Sequence, residues 1–399
     1  CRPMHRDFHF VMTDCKSPET IAAANGIGQD AAFGAVVPPL YLSSAYRFRG
    51  FEQPGAYEYS RTRNPTRDQL ADTLAKLEGG AGAVITSSGM AAVDLVLSRL
   101  EPDDLVLAPH DCYGGTFRLL QRRAIKRQFK VAFVDQTDPR ALDRAFERMP
   151  MLVLIETPSN PLMRVVDIAG IVRRARTISA AVAVDNTFLS PAVQRPIGLG
   201  ADFVIHSTTK YLNGHSDMVG GAVVAASAAR LEELAEWANI TGVTGAPFDS
   251  YQTLRGLRTL FPRLERQQKT AMAVAQFLDA HPRVARVHFP GLATHPGHEL
   301  ARRQQDGFGA MLSFEIEGGM AEIRRFSEAL RIFTLAESLG GMESLAAHPA
   351  TMTHAGMGPE ARHAAGIKDT LMRLSIGLEG EQDLLDDLQR ALEAAGGEP

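Results

Sequence analysis

Three apolar runs end in residues whose types can do chemistry together. Phe203-Val204-Ile205 gives way to His206-Ser207-Thr208-Thr209-Lys210. A lysine flanked by hydroxyls and partly desolvated can form a Schiff base and afterwards carry protons, although the solvent-exposed surface is the usual place for this residue. One strand–loop–strand step earlier, Val182-Ala183-Val184 stops at Asp185-Asn186-Thr187. A carboxylate straight after a buried strand needs a partner, because an unpaired buried charge is costly. A protonated pyridine nitrogen would satisfy it and strengthen that ring as an electron sink; backbone N–H groups of the turn would satisfy it too. Earlier still, Thr86-Ser87-Ser88-Gly89-Met90 joins a strand to a helix. Small residues there leave backbone N–H groups free for a phosphate, and they also cap helices that bind nothing. Taken singly, each feature has an ordinary structural explanation. Their order on one rim (phosphate turn, carboxylate, hydroxyls, lysine) favours a functional reading.

That rim must be built by a sheet. From Thr66 a helix is expected with Leu70, Leu74 and Leu77 on one face and Gly79 just past its end. Apolar strand-like runs follow at 83–86, 105–108, 131–134, 152–155, 182–184 and 203–205, separated by helical stretches. Near-continuous apolar strands alternating with helices imply a mostly parallel sheet buried on both faces, with ligands outside the carboxyl ends of its strands. Residues 1–65, rich in Gly, Pro and Tyr, read as an extended arm; 66–260 as the large α/β domain; 261–399 as a smaller α+β domain. In the last, Met311–Ile316 and Leu371–Ile376 are the expected strands, and Glu322–Leu330 and Gln382–Ala394 the expected helices.

Composition narrows the function classes. The 399 residues carry a net charge of -4, with 45% hydrophobic and 22% charged residues. Such a balance gives no electrostatic basis for binding nucleic acid or an anionic membrane. The basic group Arg122, Arg123, Lys126 and Arg127 reads as a solvated helix face. Cys1, Cys15 and Cys112 form no disulfide framework, and neither they nor the 12 histidines have metal-ligand spacing, so no metal is expected. His348 and His354 are expected to be structural, and Cys112 a bystander. The Phe8–Met12 patch is too short for a secretory signal, and the expected location is cytoplasmic.

At this point the chain resembles the Cys/Met-metabolism group of fold-type I pyridoxal-phosphate enzymes, over residues 30 to 395. The motifs are Tyr57-Glu58-Tyr59-Ser60-Arg61 before Asn64-Pro65-Thr66-Arg67, then Ser88-Gly89-Met90, Val184-Asp185-Asn186-Thr187-Phe188 and Ser207-Thr208-Thr209-Lys210-Tyr211. Ala336-Glu337-Ser338-Leu339-Gly340-Gly341, Met352-Thr353-His354 and Arg373-Leu374-Ser375-Ile376-Gly377 complete the pattern. The resemblance implies an aspartate-aminotransferase-like α/β fold with pyridoxal 5'-phosphate as cofactor. It makes Lys210 the Schiff-base lysine and Asp185 the partner of the pyridine nitrogen. Gly89 and Met90 amides with the Ser207 and Thr209 hydroxyls would hold the phosphate, and Tyr59 and Arg61 would reach it from a neighbouring subunit. Tyr113 would stack on the ring and assist proton transfers. Arg373 would clamp the substrate α-carboxylate, with Asn160 beside it; Ser338 would orient the lysine and Glu337 face the distal end of the substrate. A homotetramer built as a dimer of dimers is implied, with small amino-acid substrates.

Within the group, glycine in Asp111-Cys112-Tyr113-Gly114-Gly115-Thr116 stands where methionine γ-lyases usually place cysteine, and Leu339 where β-lyases usually carry an aromatic. Segments 108–115, 242–245 and 250–258 resemble bacterial cystathionine γ-synthases that use O-succinylhomoserine, with Arg118 as the cation for a distal carboxyl. Thr62 departs from the pattern, since some such synthases have a second arginine there. The resemblance therefore implies γ-replacement of O-succinylhomoserine by L-cysteine, giving L-cystathionine and succinate. The alternative is a γ-lyase that releases cysteine, 2-oxobutyrate and ammonia from cystathionine.

Overall fold

The expected apolar runs all form strands in the computed structural model, which describes residues 16–397. They are β1 (Gly82–Thr86), β2 (Leu105–Pro109), β3 (Lys130–Val134), β4 (Leu152–Glu156), β5 (Ala181–Asp185) and β6 (Phe203–His206). A further strand, β7 (Gly221–Ala225), was not among them. The sheet order is β1-β7-β6-β5-β4-β2-β3. Strands β2 to β6 pair in parallel, whereas β7 runs antiparallel to both β6 and β1. The sheet is thus mostly parallel, as expected, with β7 alone running against the rest. An apolar run carries no direction, and the return of the chain after Lys210 decides it. Because β7 is inserted antiparallel, β1 regains the sense of β5 and β6. The carboxyl ends of all three lie on one rim.

Alternation along the strands buries both faces. Leu152 and Leu154 join one apolar cluster with Phe203 and Ile205, while Val153 and Ile155 join another with Val182 and Val184. Helix α1 (Pro18–Ala24), capped by Ser17, lies in the region expected to be wholly extended; seven residues are too few for a readable period. Helix α2 (Pro65–Glu78) starts at Asn64, whose side chain accepts from the Thr66 and Arg67 N–H groups, and stops at Gly79 with φ 76°. Its Leu70, Leu74 and Leu77 are buried, at about 1.5–3 kcal/mol per side chain. Helices α3 (Gly89–Leu97) and α4 (Gly114–Ile125) leave the rim after β1 and β2. In and after α4, Arg122, Lys126 and Arg127 are exposed, and Arg123 pairs with Asp94.

A second sheet has the order β10-β11-β12-β9-β8. Its strands are β8 (Val284–His288), β9 (Met311–Ile316), β10 (Thr334–Leu335), β11 (Leu345–Ala347) and β12 (Leu371–Ser375). The long helix Leu260–Asp279 buries Leu264, Ala271, Val274 and Leu278 in a core shared with β9 and β12. Among the described residues no helix is long and apolar enough to cross a membrane, and no cluster of His, Cys, Asp and Glu could hold a metal ion. Cys1, Cys15 and the Phe8–Met12 patch lie outside the described residues.

Candidate active site

A cavity of about 600 Å3 opens on the rim where β1, β5 and β6 end. Lys210 emerges just beyond β6, in a turn closed by its N–H to the Ser207 carbonyl and by the Gly214 N–H to its own carbonyl. Its Nζ donates to Ser338 Oγ at 2.6 Å. Burial, helped by the Arg373 charge and opposed by Glu337, lowers the Lys210 ammonium pKa to about 8. A neutral amine is therefore accessible near physiological pH, as a nucleophile or a base requires. Ser338 holds this position with φ 93°, a strained backbone for a residue with a side chain, and its carbonyl accepts from Arg373 Nη2 at 2.8 Å.

Asp185 closes β5, and its Oδ1 accepts from the Thr187 N–H at 3.0 Å. Burial raises its pKa, so a protonated partner in the cavity would be drawn to it. Thr187 Oγ1 accepts in turn from the Ser207 N–H at 2.9 Å, which ties the β5 and β6 ends together. At the start of α3, Ser88 Oγ accepts from the Ala91 N–H. The Gly89 and Met90 N–H groups meet no acceptor among the described residues. A side chain at Gly89 would strike Ser207 Cβ at 2.7 Å, so glycine is what lets this helix end close on the Ser207 hydroxyl. Thr209 Oγ1 lies within hydrogen-bond reach of the Gly220 N–H and carbonyl.

Arg373, on β12, enters from the second sheet. It is 2% exposed and donates through Nη1 to Asn160 Oδ1 at 3.0 Å, while its Nε has no partner. No carboxylate among the described residues pairs with it, and burial lowers its pKa to about 10. A buried guanidinium without a counter-charge is costly unless a ligand supplies one. Asn160 is held from both sides, its N–H by Glu156 Oε1 at 2.9 Å and its carbonyl by His354 Nε2 at 3.0 Å. His354 is buried, and burial lowers its pKa to about 4, so its role is a neutral brace. His348 is likewise bonded to Thr351 and to the Asp369 carbonyl.

Tyr113 begins α4 with its ring over the cavity, where Gly115 leaves room: a Cβ there would lie 2.5 Å from the ring. Burial and the Glu337 carboxylate raise the phenol pKa, against Arg118 and Arg373. Arg118 lies one turn further along α4, packs on Gly356 and pairs with no acid among the described residues. Glu337 lines the same cavity. Cys112 is fully buried, and burial raises its thiol pKa well above the ordinary value, which keeps it inert.

The cavity thus gathers Lys210, Asp185, Gly89, Met90, Ser207, Thr209, Tyr113, Arg118, Asn160, Glu337, Ser338 and Arg373. Tyr59 and Arg61 are not brought to it within one chain. Tyr59 is half exposed on the N-terminal arm, and Arg61 donates to the Asn239 carbonyl at 2.8 Å. Glu156 and Thr187 belong to the site and were missed. Glu156 had a readable signal, since it ends an apolar strand just as Asp185 does. The donor set suits pyridoxal phosphate: free amides at a helix end with a hydroxyl, a carboxyl for a protonated ring nitrogen, and an amine whose pKa burial lowers to about 8.

A family model described as "Cys/Met metabolism PLP-dependent enzyme" matches residues 19–393. The chain is 56% identical over 377 residues to cystathionine gamma-synthase of Escherichia coli (strain K12), covering 94% of this chain and 98% of that protein. A cystathionine beta-lyase of Lactococcus lactis subsp. cremoris is 46% identical over 377 residues, covering 94% and 99%. Among solved structures, cystathionine gamma synthase from Xanthomonas oryzae pv. oryzae in complex with cystathionine superposes with a TM-score of 0.95 at 57% identity, covering 96% of this chain and 99% of that one.

Proposed function

The chain belongs to the Cys/Met metabolism PLP-dependent enzyme family, and from that premise we propose that it is a cystathionine γ-synthase. It joins O-succinylhomoserine to L-cysteine, giving L-cystathionine and succinate. One observation carries the substrate: the cavity that holds Lys210 has a buried guanidinium, Arg373, and a second cation, Arg118, neither of which forms an ion pair among the described residues. O-Succinylhomoserine has a carboxylate at each end. The relatives at 56% and 57% identity bear the same enzyme name, which supports the reaction class.

Gly89 and Met90 amides with the Ser207 and Thr209 side chains would hold the phosphate of pyridoxal phosphate, and Asp185 would pair with its ring nitrogen. Bound pyridoxal phosphate supplies an electron sink for negative charge developing beside the substrate amino group. Arg373 fixes the α-carboxylate, and Asn160 keeps the guanidinium in plane. Lys210, directed by Ser338, takes the α-proton, hands it on and then takes a proton from the β-carbon, while the γ-carbon–oxygen bond breaks and succinate leaves with its electron pair. The cysteine sulfur gives up its proton to solvent and forms the new carbon–sulfur bond at the γ-carbon, and protons return to the β- and α-carbons through Lys210. Arg118 receives the succinyl carboxylate, and Glu337 faces the amine of the incoming cysteine. Tyr113 would cover the cofactor ring. Tyr59 and Arg61 complete the phosphate site of a neighbouring subunit within a dimer of dimers; this is supported by their position outside the cavity and by an exposed apolar arm, with Phe33 95% and Phe51 91% exposed.

The test is incubation with O-succinylhomoserine, with and without cysteine, quantifying cystathionine against 2-oxobutyrate. With cysteine, cystathionine is the main product. If the protein instead degrades cystathionine to 2-oxobutyrate faster than it makes it, the synthase reading fails and the γ-lyase reading replaces it.

A further inference from the structure

Glu156 is a buried acid that the scheme above does not use. It ends β4 in register with Asp185 at the end of β5, so both carboxyls rise from adjacent strands, about 4.8 Å apart, into the same cavity. Its two oxygens are divided between two loops. Oε2 accepts from the Tyr113 N–H at 2.9 Å, on the loop that leaves β2. Oε1 accepts from the Asn160 N–H at 2.9 Å, on the loop that leaves β4. An acid only 8% exposed is tolerated because both oxygens are engaged. Burial and the neighbouring Asp185 push its pKa up, and the Tyr113 and Asn160 N–H groups, which favour the ionised form, oppose them.

We propose that Glu156 is a positioning residue for this reaction: its single carboxyl sets the ring of Tyr113 and the Asn160–Arg373 pair relative to each other. The proposal rests on the roles given above to Tyr113 and Asn160. Tyr113 begins α4 with no side-chain cap, so the Glu156 bond fixes the backbone that aims its ring. Asn160 is the one side chain among the described residues that accepts from Arg373, so a shift of its backbone is felt at the guanidinium. The two loops are also bracketed from outside, by Ser159 Oγ to Asp111 Oδ2 at 2.7 Å and Arg164 Nη1 to the same oxygen at 2.9 Å. That outer bracket keeps the loops folded when Glu156 is changed, while the inner bond sets the finer placement.

The experiment uses the holoenzyme with Glu156→Gln, which keeps the shape but presents a donor to one of the two N–H groups. Expected are a melting temperature near wild type, a KM for acylhomoserine raised about tenfold and a pyridoxal phosphate dissociation constant, by equilibrium dialysis, raised about tenfold. In a Tyr113→Ala background, Glu156→Gln should add little to the loss of cofactor affinity, because the ring it aims is gone. Full additivity of the two, or a lowered melting temperature with unchanged KM and cofactor affinity, overturns the proposal and leaves Glu156 a purely structural acid. If Tyr113→Ala alone changes nothing, the reading of Tyr113 fails; the rise in KM through Asn160 then decides the case for Glu156. Should Glu156→Gln not fold, Glu156→Asp replaces it, since a carboxyl drawn back by one methylene cannot span both loops and should give the same pattern.

Discussion

Lys210 offers a measurement of how strongly the site desolvates its central amine. In the unfolded chain its ammonium has a pKa of 10.5; in the folded protein burial lowers it to about 8. A cationic group with a depressed folded pKa binds its proton more weakly in the native state. The unfolded state therefore holds more protons between these two values, and stability rises with pH across that window. Below about pH 8 the penalty is fully present. The difference between the two pKa values, at about 1.36 kcal/mol for each tenfold step in acidity, gives roughly 3 kcal/mol. Lys210→Met removes the charge and keeps the length. The apo variant should be roughly 3 kcal/mol more stable than wild-type apoprotein at pH 7, with the advantage shrinking between pH 8 and 10.5. Urea unfolding of both proteins, without cofactor and at fixed protein concentration, measures this. A variant no more stable than wild type at pH 7, or parallel stability profiles through pH 10.5, would refute the reasoning and mean that the amine stays hydrated.

Two further outcomes concern substrate and assembly. Arg118→Ala should lower kcat/KM for O-succinylhomoserine about ten- to a hundredfold, the worth of one charge-assisted hydrogen bond, and O-acetylhomoserine much less; equal losses would make Arg118 structural. Mixing Arg61→Ala with Lys210→Ala should restore activity through hybrid dimers with one intact site. If subunits demonstrably exchange and activity stays absent, the site is not shared.

Much of the rim was legible because each informative residue ends an apolar run. The strand ends at Thr86, Asp185 and His206 fall within a residue of where hydrophobicity stops, and the chemistry follows directly. Strand direction was not legible: β7 is as apolar as its neighbours, and only the course of residues 207–220 makes it antiparallel. The helix α2 was readable because its period, its Asn64 cap and Gly79 agree, whereas α1 is too short to show a period. Arg373 was recognised through its motif alone. Nothing local in Leu371–Ser375 distinguishes a clamp from a core ion pair, and the distinction appears only when no acid among the described residues forms an ion pair with it.

Glu156 shows what a residue-by-residue reading misses even where the signal exists. It meets the same criterion as Asp185, a carboxylate after a buried strand, and differs in what satisfies it. Asp185 keeps capacity for a partner from the cavity, with Thr187 its neighbour in the turn. Glu156 spends both oxygens on the backbones of loops that are 43 and 4 residues away in the chain. A sequence presents those two acids as equals. Topology separates them, because only β4 lies between β2, which delivers Tyr113, and β5, which delivers Asp185. A carboxyl on the middle strand can reach the first loop and influence the second acid, and no other strand end on this rim has both neighbours.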